Sequence, residues 1–194
     1  YTGTNEVKLT LARTPDIQLE KRVGDLIRYP YGCIEQTTSA LFPQLLLHKV
    51  VELSDVRKQM VTDNLNAGIS RLSSFRDGAY FSYWPVSQNY GSYRNNWGGL
   101  YASHFLAMAA KAGYAVPQDQ INHWKKFAIA QGKQLQSDYR TQCYALFILA
   151  LDGSPQLGSM NLLKENHSDK LDGLSREFLA TAYALAGKTD ASKE

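Results

Sequence analysis

The sequence predicts an all-α fold of helical hairpins stacked around an axis, and three observations carry that expectation. Apolar residues recur at helical spacing from Gln18 onward. The stretches Leu100 to Gly113, Gln142 to Gly153 and Phe178 to Gly187 are each an Ala, Leu and aromatic run closed by a glycine suited to a left-handed C-cap. Those glycines recur at about 40 and 34 residues. More polar helices, expected at about 117–136 and 156–165, fall between the runs. Apolar helices alternating with amphipathic ones imply an inner and an outer layer.

Taken in order, Val7 to Leu11 alternates apolar and polar residues as a short strand does, and Pro15 breaks it. Residues 1–17 are thus expected to be a strand and linker to a neighbouring domain, and residues 18–194 the helical domain. Leu19, Val23, Leu26 and Ile27 share one helix face, and Pro30 ends that helix. A second helix should start near Cys33 and be interrupted at Pro43, which opens a segment running to about Glu52, because proline removes an interior hydrogen bond. Ser54 is a good N-cap for the next helix, carrying Val56, Met60, Leu65, Ile69 and Leu72. Pro117 suits the first turn of another, with Ile121, Trp124, Phe127 and Ala128 inside. Arg76 to Trp97 breaks the pattern. It is rich in Gly, Tyr and Asn, and gathers Tyr80, Phe81, Tyr83, Trp84, Tyr90, Tyr93 and Trp97. A long aperiodic connection is either a binding element or a packed aromatic plug.

Composition narrows the function. With 194 residues, 44% apolar and 20% charged, the chain is long enough for a sizeable core and short enough for one domain. The formal charge of +3 is scattered, with no basic block, so nucleic acid is not an expected partner. No apolar stretch approaches the roughly 20 residues that span a bilayer, and this segment is not expected to insert into membranes. The chain opens on Tyr1 and ends on a polar tail, as if both ends were cut from something larger. Cys33 and Cys143 are too few for a disulfide scaffold, and a bridge between them would exclude the chemistry below. Of the four histidines, His48 and His104 read as packing residues, His123 and His167 as surface residues. None nominates a catalytic triad or a metal site, no cofactor is expected, and Cys143 reads as packing.

The run Tyr29-Pro30-Tyr31-Gly32-Cys33-Ile34-Glu35-Gln36 carries the chemistry. Residues three apart face each other across one helical turn, with Cβ atoms roughly 5–6 Å apart. The Cys33 thiol can therefore meet the Gln36 carboxamide carbon, displace ammonia and leave an internal thioester. A helix start favours the thiolate and offers free N–H groups that polarise a carbonyl. Gly32 permits a tight turn into the helix and Pro30 stiffens the approach. Tyr29, Tyr31 and Ile34 can cover the sulfur against water, and Glu35 suits the helix dipole. A Cys-x-x-Gln spacing alone is also met by chance, with the cysteine a small buried hydrophobe.

That run, extended by Thr37-Thr38-Ser39 and Phe42-Pro43, resembles the thioester motif of bacterial alpha-2-macroglobulins. The similarity continues through Asp77 to Pro85 and Asn96 to Leu106. The resemblance implies an α/α toroid of about six helical hairpins, of which this chain holds about four, as a truncated thioester domain. It implies Cys33 as sulfur donor and Gln36 as acyl donor, supported and shielded by Tyr29, Pro30, Tyr31, Gly32, Ile34 and Glu35. It further implies a single-use covalent protease inhibitor rather than an enzyme. Neighbouring domains of the same chain shield the bond until a target protease cuts a bait region, whereupon a lysine of the protease is captured. The resemblance also implies a periplasmic location, often with a lipid anchor. Ile34 stands where the animal motif Gly-Cys-Gly-Glu-Gln has its central glycine, and bacterial relatives commonly carry Leu there. Some complement proteins use a loop histidine to direct transfer to hydroxyls. The corresponding stretch here, Gly132 to Asp138, has none, which favours direct attack by amines. Two rivals remain at this level. A toroid-fold glycosidase or terpenoid cyclase requires clustered acids, whereas Asp77 stands alone in the aromatic segment. A non-covalent adhesion or scaffolding module would need no bond at all.

Overall fold

The computed structural model describes residue 3 and residues 19–86, 93–133 and 138–193. The strand expected over Val7 to Leu11, Tyr90 and the middle of the Gly132 to Asp138 loop lie outside the described residues. Helix α1 spans Leu19–Leu26 and turns Val23 into the core. Helix α2, Ile34–Leu46, follows with Cys33 as its N-cap and continues as a 3-10 turn over Leu47–Lys49.

The break expected at Pro43 does not occur, and Pro43 lies inside α2. The carbonyl that proline strips of its partner belongs to Ser39, which is exposed and open to water. One residue on, buried Gln44 steadies the turn with its side chain. Its Nε2 donates to the carbonyls of Ala40 and Arg28 at 2.8 Å each, and its Oε1 accepts from Asn64 Nδ2 at 2.9 Å.

Helix α3, Asp55–Leu72, begins at Ser54, whose hydroxyl accepts from Arg57 N–H at 3.4 Å. Its buried stripe is Val61, Leu65, Gly68, Ile69 and Leu72. Val56 and Met60 were expected on that stripe and are exposed, because they lie five and one residues before Val61, off the three- and four-residue spacing of the stripe. A Cβ on Gly68 would stand 2.3 Å from a Leu41 methyl, so α3 and α2 approach at a place only glycine leaves open.

The aromatic segment folds as a small hairpin. Strand β1, Arg76–Asp77, pairs antiparallel with β2, Tyr80–Phe81, and Ser82 then bridges Arg94. Helix α4, Asn96–Lys111, is capped by Asn95, whose Oδ1 accepts from Gly98 N–H at 2.8 Å. Helices α5, Gln118–Gly132, α6, Tyr139–Leu151, α7, Leu157–His167, α8, Gly173–Leu185, and the short α9, Thr189–Lys193, complete the order. Pro117 sits at the N-cap of α5, and Trp124, Phe127 and Ala128 are buried on it as expected.

Helices α4, α6 and α8 end as the recurring glycines require. Gly113, Gly153 and Gly187 take φ of 88°, 88° and 73°. The next amide in each case reaches back five residues: Tyr114 to Ala109, Ser154 to Leu149, and Lys188 to Tyr183, at 3.0, 2.8 and 2.9 Å. Helices α2, α4, α6 and α8 lie side by side, and α3, α5, α7 and α9 return along the outside. This is an α/α toroid arrangement. The inner position of α6 shows in its burial, which takes in every residue from Thr141 to Leu146 and Ile148 to Ala150. Cys143 is among them; it is free, and burial pushes its thiol up to about 12, so it packs and does not react.

The histidines divide differently from expectation. His48 is exposed on the 3-10 turn, whereas His123 and His167 are half-buried against Phe81 and Tyr139, at ring separations of 4.8 and 5.2 Å. His104 packs as expected, between Phe42 and Phe147, with Nδ1 3.0 Å from the Tyr144 hydroxyl. Burial lowers its pKa to about 4 from an ordinary 6.5. The unfolded chain therefore binds the extra proton between those values. This contribution is complete above the unfolded pKa and is lost as pH falls towards the folded one. Urea denaturation is expected to give an unfolding free energy about 2 kcal/mol lower near pH 5 than near pH 7, and His104→Gln to remove that component.

Candidate functional site

Local sequence and one long-range segment together build the turn into α2. Tyr29 and Tyr31 flank buried Pro30, their rings 4.4 Å apart. Gly32 has φ of 92°, and at the next residue Cys33 adopts extended dihedrals and becomes the N-cap. Gln36 is then the third residue of the helix, and its side chain folds back. Its Oε1 accepts from the Cys33 backbone N–H at 3.1 Å, while the Cys33 side chain faces the Gln36 backbone N–H in the reciprocal manner of a capping box. A Cβ on Gly32 would lie 2.2 Å from Gln36 Oε1 and 3.0 Å from its carboxamide carbon, which shows how closely the amide lies over the glycine.

The two groups differ in exposure. Cys33 is 2% exposed, whereas Gln36 opens onto a depression of about 340 Å³ lined with Arg28, Tyr29, Tyr31, Gly32 and Ala40. Tyr29 and Tyr31 are themselves 46% and 70% exposed and line that depression beside the amide. Ile34, expected to help cover the sulfur, points into the core with no exposure and meets α4, where a Cβ on Gly98 would be 2.7 Å from its Cγ2. Glu35 does more than favour the dipole, because its Oε1 accepts from Asn95 Nδ2 at 2.8 Å and so ties the first turn of α2 to the cap of α4.

Four further residues support the turn. Arg71, from the last turn of α3, donates through Nη2 to the Gly32 carbonyl at 2.9 Å and through Nε to the Thr37 hydroxyl at 3.4 Å. Buried Thr37 hydrogen-bonds in turn with the Tyr31 carbonyl at 3.4 Å. Asn95 is the third, through Glu35. The fourth is Tyr83, whose carbonyl accepts from Ile34 N–H at 3.1 Å. The neighbouring Cys33 side chain first, then burial and the charge on Glu35, raise the pKa of the Tyr83 phenol. Asn95 was missed, although an asparagine before an apolar helix is a capping signal. Arg71 and Tyr83 carry no local signal, since each arrives from another element.

Chemically, the turn presents a carboxamide whose oxygen is already held by a backbone donor, beside a cysteine that solvent does not reach. An N–H aimed at a carbonyl oxygen stabilises the negative charge that gathers there during acyl transfer. Among the described residues no cluster of His, Cys, Asp or Glu could hold a metal ion, and no helix is long and apolar enough to cross a membrane.

The fold and this turn define a class: helical toroid domains that present a cysteine and a glutamine across the first turn of an inner helix. Residues 7–153 match the family model described as the A-macroglobulin TED domain, and the chain belongs to that family. It is 28% identical over 208 residues to the alpha-2-macroglobulin of Escherichia coli strain K12, covering 98% of this chain and 12% of that protein. The crystal structure of Salmonella alpha-2-macroglobulin reacted with methylamine matches with a TM-score of 0.73 and 29% identity, over 93% of this chain and 12% of that one. Trypsin-activated alpha-2-macroglobulin from Escherichia coli matches with a TM-score of 0.70 and 29% identity, over 85% of this chain and 12% of the other. The chain thus spans about an eighth of the length of these bacterial relatives.

Proposed function

We propose that this chain is the reactive domain of a bacterial protease inhibitor of the alpha-2-macroglobulin type, and that Cys33 and Gln36 form its internal thioester. The observation that carries the proposal is the Cys33 N–H held on Gln36 Oε1 at 3.1 Å. In forming the bond, the thiol adds to the Gln36 carboxamide carbon, the C–N bond breaks and ammonia departs with the thiol proton. In using it, an amine adds to the same carbon and the C–S bond breaks. An amide is left on residue 36 and a free thiol on residue 33. The depression beside Gln36 gives such an amine a path to the carbon without exposing the sulfur.

The natural acceptor is a lysine of an attacking protease, after cleavage of a bait region elsewhere in the inhibitor. The trypsin-activated relative supports that class of partner. Neighbouring domains of the full protein cover exposed Tyr29, Tyr31 and Gln36 until then, and the inhibitor acts once, in the periplasm or at the cell envelope. Intact mass spectrometry tests the bond. The freshly prepared protein is expected to be lighter than its sequence by one ammonia, and methylamine is expected to add to residue 36 and release Cys33 to alkylation. A Gln36 still bearing its amide beside a freely alkylated Cys33 in fresh full-length protein would refute the proposal.

A further inference from the structure

The N–H that holds the Gln36 oxygen is one half of a peptide group whose other half is held as well. The Gly32 carbonyl and the Cys33 N–H belong to a single planar unit. Its N–H donates to Gln36 Oε1 at 3.1 Å, and its carbonyl accepts from Arg71 Nη2 at 2.9 Å. Oε1 is the acyl oxygen in a carboxamide and in a thioester alike. The half-buried guanidinium is fixed in turn: Arg71 lies in the last turn of α3, its Nε donates to the Thr37 hydroxyl at 3.4 Å, and its Cζ stands 5.5 Å from the centre of the buried Phe75 ring. Among the described residues no ion pair engages Arg71. Its charge is directed at the one backbone carbonyl conjugated with the N–H on the acyl oxygen.

We propose that Arg71 is a positioning residue of the acyl transfer: by holding the Gly32 carbonyl it fixes the plane of the Gly32–Cys33 peptide and strengthens that peptide's N–H as a donor to the acyl oxygen. The inference rests on the reading of Cys33 and Gln36 as a thioester pair. A cation on the carbonyl draws electrons from the peptide nitrogen through amide resonance, which leaves the N–H more positive. When an amine attacks, its electron pair forms the new C–N bond and the carbonyl π pair moves onto Oε1, where the N–H meets it. That pair returns as the C–S bond breaks and its electrons leave on sulfur. The amine's proton passes to solvent, from which the thiolate is later protonated. Arg71 keeps its proton throughout and touches no reacting atom. A donor fixed beforehand and aimed at the developing charge lowers the barrier without reorganising.

The test uses the full chain and methylamine as probe. Arg71→Met keeps a long stem beside Phe75 and removes the donors. It is expected to slow methylamide formation on residue 36 by about tenfold, while Lys58→Met, at an exposed position on the same helix, leaves the rate unchanged. A second readout separates this role from a merely structural tie. In nitrogen-labelled protein, measured after methylamine treatment so that both chains carry a free thiol, Arg71→Met is expected to move the Cys33 amide nitrogen resonance upfield, because a peptide nitrogen responds to what its carbonyl accepts. A wild-type rate overturns the inference, and so does a slowed reaction with an unmoved Cys33 nitrogen. Should Arg71→Met fail to fold, Arg71→Lys keeps charge and stem without the planar fork and carries both measurements, with a slowing of about threefold or more expected and the same results overturning the inference. A wild-type chain without a mass deficit refutes the thioester reading instead, and the Cys33 nitrogen still decides whether Arg71 acts on that peptide.

Discussion

Cys33→Ala is expected to abolish covalent amine capture completely while leaving the fold in place. Without the thiol, Gln36 keeps its own amide, and a primary amide does not exchange with methylamine under mild conditions. The mass deficit of one ammonia should vanish, and no label should appear on residue 36. The separation of chemistry from folding follows from how Cys33 caps α2. The bond that fixes the turn runs from its backbone N–H to Gln36 Oε1, and Thr37 N–H reaches its carbonyl at 2.9 Å. Neither involves the sulfur. Removing one buried sulfur from a site 2% exposed should cost about 1 kcal/mol, a small shift in a thermal melt. A Cys33→Ala protein that still gains methylamine at residue 36 would show that the acyl donor does not depend on this thiol.

Gly32→Ala is expected to damage both stability and chemistry. At φ of 92° an alanine carries backbone strain of about 1–3 kcal/mol. Its Cβ would also stand 2.2 Å from Gln36 Oε1, a separation that no relaxation of the methyl removes, so the carboxamide must leave the Cys33 N–H. The Arg71 hydrogen bond to the Gly32 carbonyl resists any compensating rotation of that peptide. Methylamine incorporation should fall by at least tenfold, the effect of losing one donor to an acyl oxygen, together with a lower melting temperature. Wild-type incorporation in a protein with an unchanged melt would mean that the glycine neither sets the turn nor clears space for the amide.

Features written in neighbouring residues were legible in the sequence. The helix ends at Gly113, Gly153 and Gly187, the Ser54 cap and the Cys33 helix start all depend on chemistry within a few positions. Local rules failed where a distant group intervened. Pro43 stays in a helix because Ser39 faces solvent and Gln44 spans three chain segments, neither of which a proline rule includes. The hairpin of β1 and β2 has two residues per strand, too short for alternation to register. Arg71 and Tyr83 reach the site from 39 residues beyond Gly32 and from the segment after β2, and only the folded chain brings them there.

Ile34 and Gly98 have a consequence that concerns neither thiol nor amide. They fill one small space between two inner helices, the bulk coming wholly from one partner. Their volumes are complementary, so a glycine at position 34 would leave a hole that only a larger residue on α4 could close. What stands between Cys33 and Glu35 is thus chosen by the neighbouring helix rather than by the acyl group. The motif is in this sense two-dimensional, and its middle letter is written across the seam.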